Sequence, residues 1–186
     1  MHPTPHDERL LKALANAMVV HPRATLKELA ETAGVSKATL HRFCGTRDNL
    51  VEMLENHGEQ VLNQVIRDAD LTRAEPLPGL RHLIAEHLKH REMLAFLMFQ
   101  YRPDTLLGDS EDRRWHAYTQ AMDAFFLRAQ QLGALRIDIS AAVLTEMFLS
   151  MIFSMVDAER RGRAASATSA LTLERFFLSG ALVQSP

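Results

Sequence analysis

Four hydrogen-bond donors, Lys37, Thr39, His41 and Arg42, fall within six consecutive residues. Side chains of these types donate to phosphate oxygens and to the acceptor edges of nucleobases. Ala38, between them, is small enough to let a backbone approach a base edge closely. Thr46 and Arg47 follow four and five residues after Arg42. Arginine at a helix start opposes the macrodipole, so its placement is better explained by an anion. The helix end offers backbone donors and Arg47 adds charge.

Such side chains act together only on a rigid frame, and Thr25–Leu50 supplies one. Thr25 and Glu28 have the spacing of a capping box, which starts a helix. Ala30, Gly34, Val35 and Leu40 have the spacing of a helix-turn-helix. The alanine lets two helices cross closely, and Gly34 can take the left-handed conformation of the tight turn. Val35 and Leu40 fill the space between the helices. Ser36 caps the second helix and Thr46 the next. The expected nucleic-acid contacts are Thr25, Ser36, Lys37, Ala38, Thr39, His41, Arg42, Thr46 and Arg47.

The stretch Gly34-Val35-Ser36, Thr39-Leu40-His41, Cys44, Arg47 and Leu50 resembles the DNA-binding domain of the TetR family of transcriptional regulators. Members read Gly-Val-Ser-x-x-Thr-Leu-Tyr-x-x-Phe-x-x-Lys-x-x-Leu. Seven of the nine positions match or nearly match, counting Arg47 for lysine. The specific likeness covers roughly residues 6–55; beyond it only length and helical layout agree. His41 stands where the family places a tyrosine on a backbone phosphate. A charged imidazole there would bind phosphate more strongly, so affinity is expected to rise as pH falls through its titration. Cys44 stands where the family packs a phenylalanine, with Phe43 adjacent as a replacement.

Helical periodicity runs through the rest of the chain. Leu10, Leu14 and Met18 repeat every four residues, and Val51, Leu54, Val61, Leu62, Val65 and Ile66 continue one face over five turns. No alternating strand pattern and no internal repeat is present. Proline and glycine punctuation divides the chain into about nine helices, expected over 6–21, 25–33, 36–43, 46–70, 77–89, 91–101, 109–132, 140–160 and 168–183. Arg160–Ser169, small and basic, is expected to be a loop.

The fold class is therefore all-α. It comprises an N-terminal three-helix DNA-binding domain over 1–50, with its helix-turn-helix at about 25–44, and a helical bundle over 51–186. The net charge of −2 hides an asymmetry. Residues 1–50 carry seven Lys and Arg against five Asp and Glu; the remainder carries fourteen against eighteen. The sign suits DNA contact at one end.

The bundle is far longer than DNA contact needs, and the resemblance implies that it senses a ligand and dimerises. Seven of the nine methionines lie in it together with most aromatics, and both types line adaptable apolar pockets. The expected ligand-facing residues are Met93, Phe96, Phe99, Gln100, Trp115, Tyr118, Thr119, Met122, Phe125, Met147 and Met151; Tyr101, Arg102, His116 and Gln120 stand among them. No charged cluster interrupts this set, so an apolar or weakly polar small molecule is expected. The last two helices carry apolar surface on more than one side. Phe148, Ile152, Met155, Leu173, Phe176 and Phe177 are the expected homodimer interface.

These expectations describe a cytoplasmic dimer that binds a palindromic double-stranded operator and is released by a small ligand. A regulator controlled by a protein partner instead is the alternative. An enzyme is disfavoured, since no nucleophile elbow, phosphate loop or Cys/His metal pair is present, and no cofactor is expected. His82, Glu86 and His90 share a helix face, but i to i+8 spans about 12 Å, too far for one ion without a partner element. The single cysteine excludes an intramolecular disulfide. The polar start of the chain has no apolar core of a signal peptide. The 14-residue apolar run Val143–Val156, interrupted by Thr145, Glu146, Ser150 and Ser154, falls short of a bilayer span, so no membrane partner is expected.

Overall fold

The computed structural model describes residues 5–100 and 111–183. The expected ligand-side residues Tyr101 and Arg102 lie outside them. Among the described residues there are nine helices: α1 (Pro5–Val20), α2 (Leu26–Thr32), α3 (Lys37–Cys44), α4 (Arg47–Asp68), α5 (Pro76–Lys89), α6 (Arg91–Gln100), α7 (Glu111–Gln131), α8 (Ala141–Arg160) and α9 (Ser166–Ala181). One isolated antiparallel bridge, Leu135 to Leu182, is the extended pairing among them.

Two compact units form. The first holds the chain as far as Val61 together with α6. Leu10, Leu14, Ala17 and Met18 of α1, Leu29 and Ala30 of α2, Leu40 and Cys44 of α3, and Leu50 and Leu54 of α4 make its interior. α6 packs on α1, fastened at its start by Lys12 Nζ to Glu92 at 3.3 Å. Gly58 of α4 lets Leu97 of α6 come close: a Cβ there would lie 2.7 Å from Leu97 Cδ2. The helical segment after the α5 connection thus belongs, by packing, with α1–α3.

The second unit holds residues 62–90 and the chain from 102 onward. Phe125 and Phe126 of α7, Phe148 of α8 and Phe177 of α9 build its core, with ring centroids 5.3–5.8 Å apart along the chain of contacts. Gln130 Nε2 donates to the carbonyls of Arg136 and Ile139, each at 2.6 Å, and shapes the α7–α8 connection. The expected loop Arg160–Ser169 is instead a tight turn. Arg161 N, Gly162 N and Arg163 N return to the end of α8, Gly162 takes φ 69°, and α9 begins at Ser166. Hydrogen bonds from Arg160 and Arg161 hold the Asp157 carboxyl below its ordinary range and tie that turn down.

α8 runs 20 residues, six more than the apolar stretch read from sequence, and by length and composition it could cross a membrane. One stripe of it, Leu144, Phe148, Ile152 and Val156, is buried in the core of the second unit. Its other apolar residues, Val143 and Met147 among them, stay exposed in the protomer.

Candidate nucleic-acid interface and interior site

The frame of the first unit forms as the residue types demand. Thr25 N and Oγ1 donate to Glu28 Oε2 at 2.7 and 2.8 Å, and Glu28 N donates back to Thr25 Oγ1 at 3.4 Å. Those bonds from Thr25, backbone first, hold the Glu28 carboxyl below its ordinary range. Ala33 closes α2, and Gly34 takes φ 71°. A left-handed residue there costs glycine little, and the chain turns into Ser36. Ser36 Oγ accepts from Thr39 N at 3.0 Å and shares a hydrogen bond with Thr39 Oγ1 at 2.8 Å. Thr46 Oγ1 accepts from Asn49 N at 3.1 Å and opens α4.

The register of α3 then sorts its side chains. Leu40 and Cys44 turn inward and are buried. Lys37, Ala38, His41 and Arg42 are exposed, and Thr39 is half-buried. Three cationic or donor side chains therefore project from one short helix whose other face is anchored. Burial pushes the Cys44 thiol up, and its Sγ donates to Leu40 O at 3.3 Å, so it is a packed thiol and not a thiolate. Cys44 fills the interior position itself, while Phe43 is half-buried.

Five of the expected contacts have prior engagements, since Thr39 Oγ1 shares its bond with Ser36 and Thr46 Oγ1 caps α4. The hydroxyls of Thr25 and Ser36 are committed to their caps. Arg47 Nη2 donates to Pro22 O at 2.8 Å, supplying a donor to a carbonyl of the turn between α1 and α2. Arg47 thus braces the α1–α2 turn, a role its spacing did not announce.

The expected ligand-facing residues divide between the units. Met93 and Phe96 are buried in the first, where α6 meets α1; Gln100 is half-buried and Phe99 is 41% exposed. In the second, Tyr118, Met122 and Phe125 are buried, and Trp115 and Thr119 are half-buried. Tyr118 joins a residue that periodicity passed over. His87, fully buried, engages Leu83 O through Nδ1 at 2.8 Å and Tyr118 Oη through Nε2 at 2.6 Å. Desolvation lowers the His87 pKa to about 4 and raises that of Tyr118. The neutral imidazole accordingly donates from Nδ1–H to the carbonyl and accepts the tyrosine O–H at Nε2. The signal for His87 was present: it lies four residues after Leu83 and three after Ile84, on the apolar stripe of α5. Thr145 Oγ1 is also buried, with no hydrogen-bond partner.

α8 reverses two expectations. Met147 is 57% exposed and, with Met151, lines a surface groove, not an interior cavity. Phe148 and Ile152, expected at a dimer interface, are buried in the protomer's own core, as are Leu173 and Phe177 of α9. Both faces of α8 are apolar, so periodicity could not choose which turns inward. The groove has a volume of about 360 Å³ and is formed by Met147, Ser150, Met151, Ser154 and Met155 of α8, Ala158, Ala164, and Thr172, Leu173 and Phe176 of α9. Met155 and Phe176 are the expected interface residues that keep an outward aspect, with Phe176 74% exposed.

Glu86 is buried, bonded to His82 Nε2 at 3.0 Å and Lys89 Nζ at 2.5 Å. Among the described residues no group of three His, Cys, Asp or Glu could hold a metal.

No family model matches the chain. It is 69% identical over 176 residues to the HTH-type transcriptional regulator NfxB of Pseudomonas aeruginosa, covering 95% of this chain and 94% of that one. It is 30% identical over 108 residues to the HTH-type transcriptional repressor LfrR of Mycolicibacterium smegmatis, 56% of each. In structure it is similar to the TetR-like regulator LfrR in complex with proflavine, at a TM-score of 0.75 and 20% identity over 96% of this chain and 97% of that one. It is also similar to the ketosteroid transcriptional regulator KstR2 of Mycobacterium tuberculosis, at 0.76 and 14% over 98% of each.

Proposed function

The chain belongs to the TetR family of helix-turn-helix transcriptional regulators, and from that premise we propose that it is a cytoplasmic repressor released from its operator by a small apolar or weakly polar ligand. The observation that carries the reading is α3: anchored by Leu40 and Cys44, it projects Lys37, His41 and Arg42 into solvent. A recognition helix of this kind lies in the major groove with phosphate contacts on either side. In this reading Ala38 and Thr39 approach base edges, and Lys37, His41 and Arg42 donate to bases or phosphates. Thr46 and the uncommitted donors of Arg47 add backbone contacts.

The functional division proposed is a DNA head over 1–50 and a sensing, dimerising body over 51–186. Two copies pair across the groove of α8 and α9, with Met147, Met151, Met155 and Phe176 meeting their equivalents. Two heads about 34–36 Å apart then read successive major grooves of a palindrome. The proposed effector site is the interior of the second unit around Tyr118, Met122 and Phe125, with His87 as its polar landmark. Support comes from the similar regulator LfrR, solved in complex with proflavine. A ligand acts by binding one conformer better than the other.

The test is a genome-wide pull-down of DNA bound to the full-length protein. A symmetric enriched motif is expected; no enrichment overturns the reading. The close aromatic packing of His87, Phe126, Phe148 and Phe177 supports a second reading, control by a protein partner. A thermal-shift screen of apolar metabolites separates the two: a hit that weakens operator binding supports the first, and a screen without hits supports the second.

A further inference from the structure

Arg128 lies in the last turn of α7, but its guanidinium serves a different segment of the second unit. Nη2 donates to the carbonyl of Leu71 and, at 2.8 Å, to that of Ala74. Both carbonyls belong to the connection between α4 and α5. There the chain leaves the helix through Asp70 at φ 45°, and Arg73 N and Ala74 N both return to Asp70 O at 3.0 Å. Left-handed backbone is uncommon outside glycine, though aspartate is among the types that tolerate it. Leu71 and Ala74 lie between the two helices, so their carbonyls have no intrahelical donor and need another. Arg128 supplies it.

The same guanidinium lies over the Phe125 ring, 5.9 Å from its centroid. That ring presses on the first turn of α5. A Cβ on Gly79 would lie 3.0 Å from Phe125 Cε2 and 3.0 Å from Ala74 Cβ. Ala74, Gly79, Phe125 and Arg128 thus form one close-packed joint. Along α7, Phe125 shares a face with Met122 and Tyr118, at i, i+4 and i+7 spacing, and Tyr118 bonds the buried His87. One helix connects the interior polar pair to the joint at the end of α4. α4 itself is continuous from Arg47, which directly follows α3.

We propose that Arg128 is the positioning residue that couples α7 to α4, so that displacement of α7 is transmitted to the helix that bears the DNA head. This rests on the reading above that the protein binds DNA through α3. Lysine is a poor replacement, because it would have to serve both carbonyls without the guanidinium plane that lies over the Phe125 ring.

Coupling is reciprocal: if α7 biases DNA binding, then DNA biases α7. The test is hydrogen exchange of the full-length protein with and without a DNA fragment recovered in its own genomic pull-down. In the wild type, DNA is expected to slow exchange at Ala69–Ala74 and in α7 by about fivefold or more. In Arg128→Met the change in α7 is expected to vanish while that in α3 remains. Gly79→Ala, which wedges Phe125 from Ala74 without removing a donor, is expected to weaken it in parallel and carries the test if Arg128→Met does not fold. A response in α7 that persists undiminished in the folded variants overturns the proposal. A wild type that binds DNA with no response in α7 overturns it alone, whereas a wild type that forms no DNA complex overturns the DNA-binding reading first.

Discussion

Protonation of the buried His87 sets an acid limit on the stability of the second unit. Its pKa is about 4 in the folded chain against an ordinary 6.5. Below pH 6.5 the unfolded chain therefore takes up a proton that the folded chain refuses. The stabilisation is complete above 6.5 and is lost as pH falls toward 4. The full loss corresponds to about 3 kcal/mol, and by pH 5 about 2 kcal/mol of it is gone. The cause is geometric. Nδ1 faces Leu83 O and Nε2 faces Tyr118 Oη, with Phe148 5.6 Å away, so neither ring nitrogen meets a carboxylate; the Glu86 charge, already paired with His82 and Lys89, offsets the desolvation only in part. The perturbation is the double variant His87→Leu/Tyr118→Phe, which removes both polar groups together and leaves neither orphaned. Urea unfolding of wild type and variant at pH 7.5 and pH 5.0 is the assay. The wild type is expected to lose about 2 kcal/mol more than the double variant over that interval. Tyr118→Phe alone leaves a buried acceptor unpaired and is expected to cost about 1–3 kcal/mol at pH 7.5. Equal pH dependence in wild type and double variant would refute the reasoning.

The remaining predictions concern the interface, the groove and the frame. Arg42→Ala is expected to weaken operator binding by about 1–3 kcal/mol and relax specificity if it touches a base; Lys37→Ala, on a phosphate, is expected to reduce the salt slope by about one. Fluorescence anisotropy across salt concentrations checks both. Phe176→Asp is expected to drive dimers to monomers in sedimentation while the protomer stays folded. Phe148→Ala, in the core, is expected instead to cost about 3–5 kcal/mol of stability. Thr25→Ala removes the reciprocal cap of α2 and is expected to lower stability by about 1 kcal/mol in urea titrations.

The DNA head was the most legible part of the sequence, because its signals are local. Thr25 and Glu28, Gly34 and Ser36 each act within four residues, and the structure forms each bond their types allow. Less legible were side chains whose partners are remote in sequence. Arg47 finds Pro22 across 25 residues, and His87 finds Tyr118 across 31. Nothing near Arg47 advertises an orphan carbonyl, and the apolar neighbours of His87 disguise it as core.

Sequence by itself determined the near-limits of the helices among the described residues, the helix-turn-helix register and the family of the chain. Periodicity, capping and glycine turns are read within a few residues, so no tertiary partner is needed to specify them. Tertiary structure alone decided which face of α8 turns inward. Leu144, Phe148, Ile152 and Val156 form one apolar stripe and Met147, Met151 and Met155 another, displaced by one residue. Either stripe satisfies the helical period. The first is buried because α7 and α9 offer Phe126 and Phe177 to meet Phe148, and the choice between two equally apolar faces is made by the shape of the neighbours.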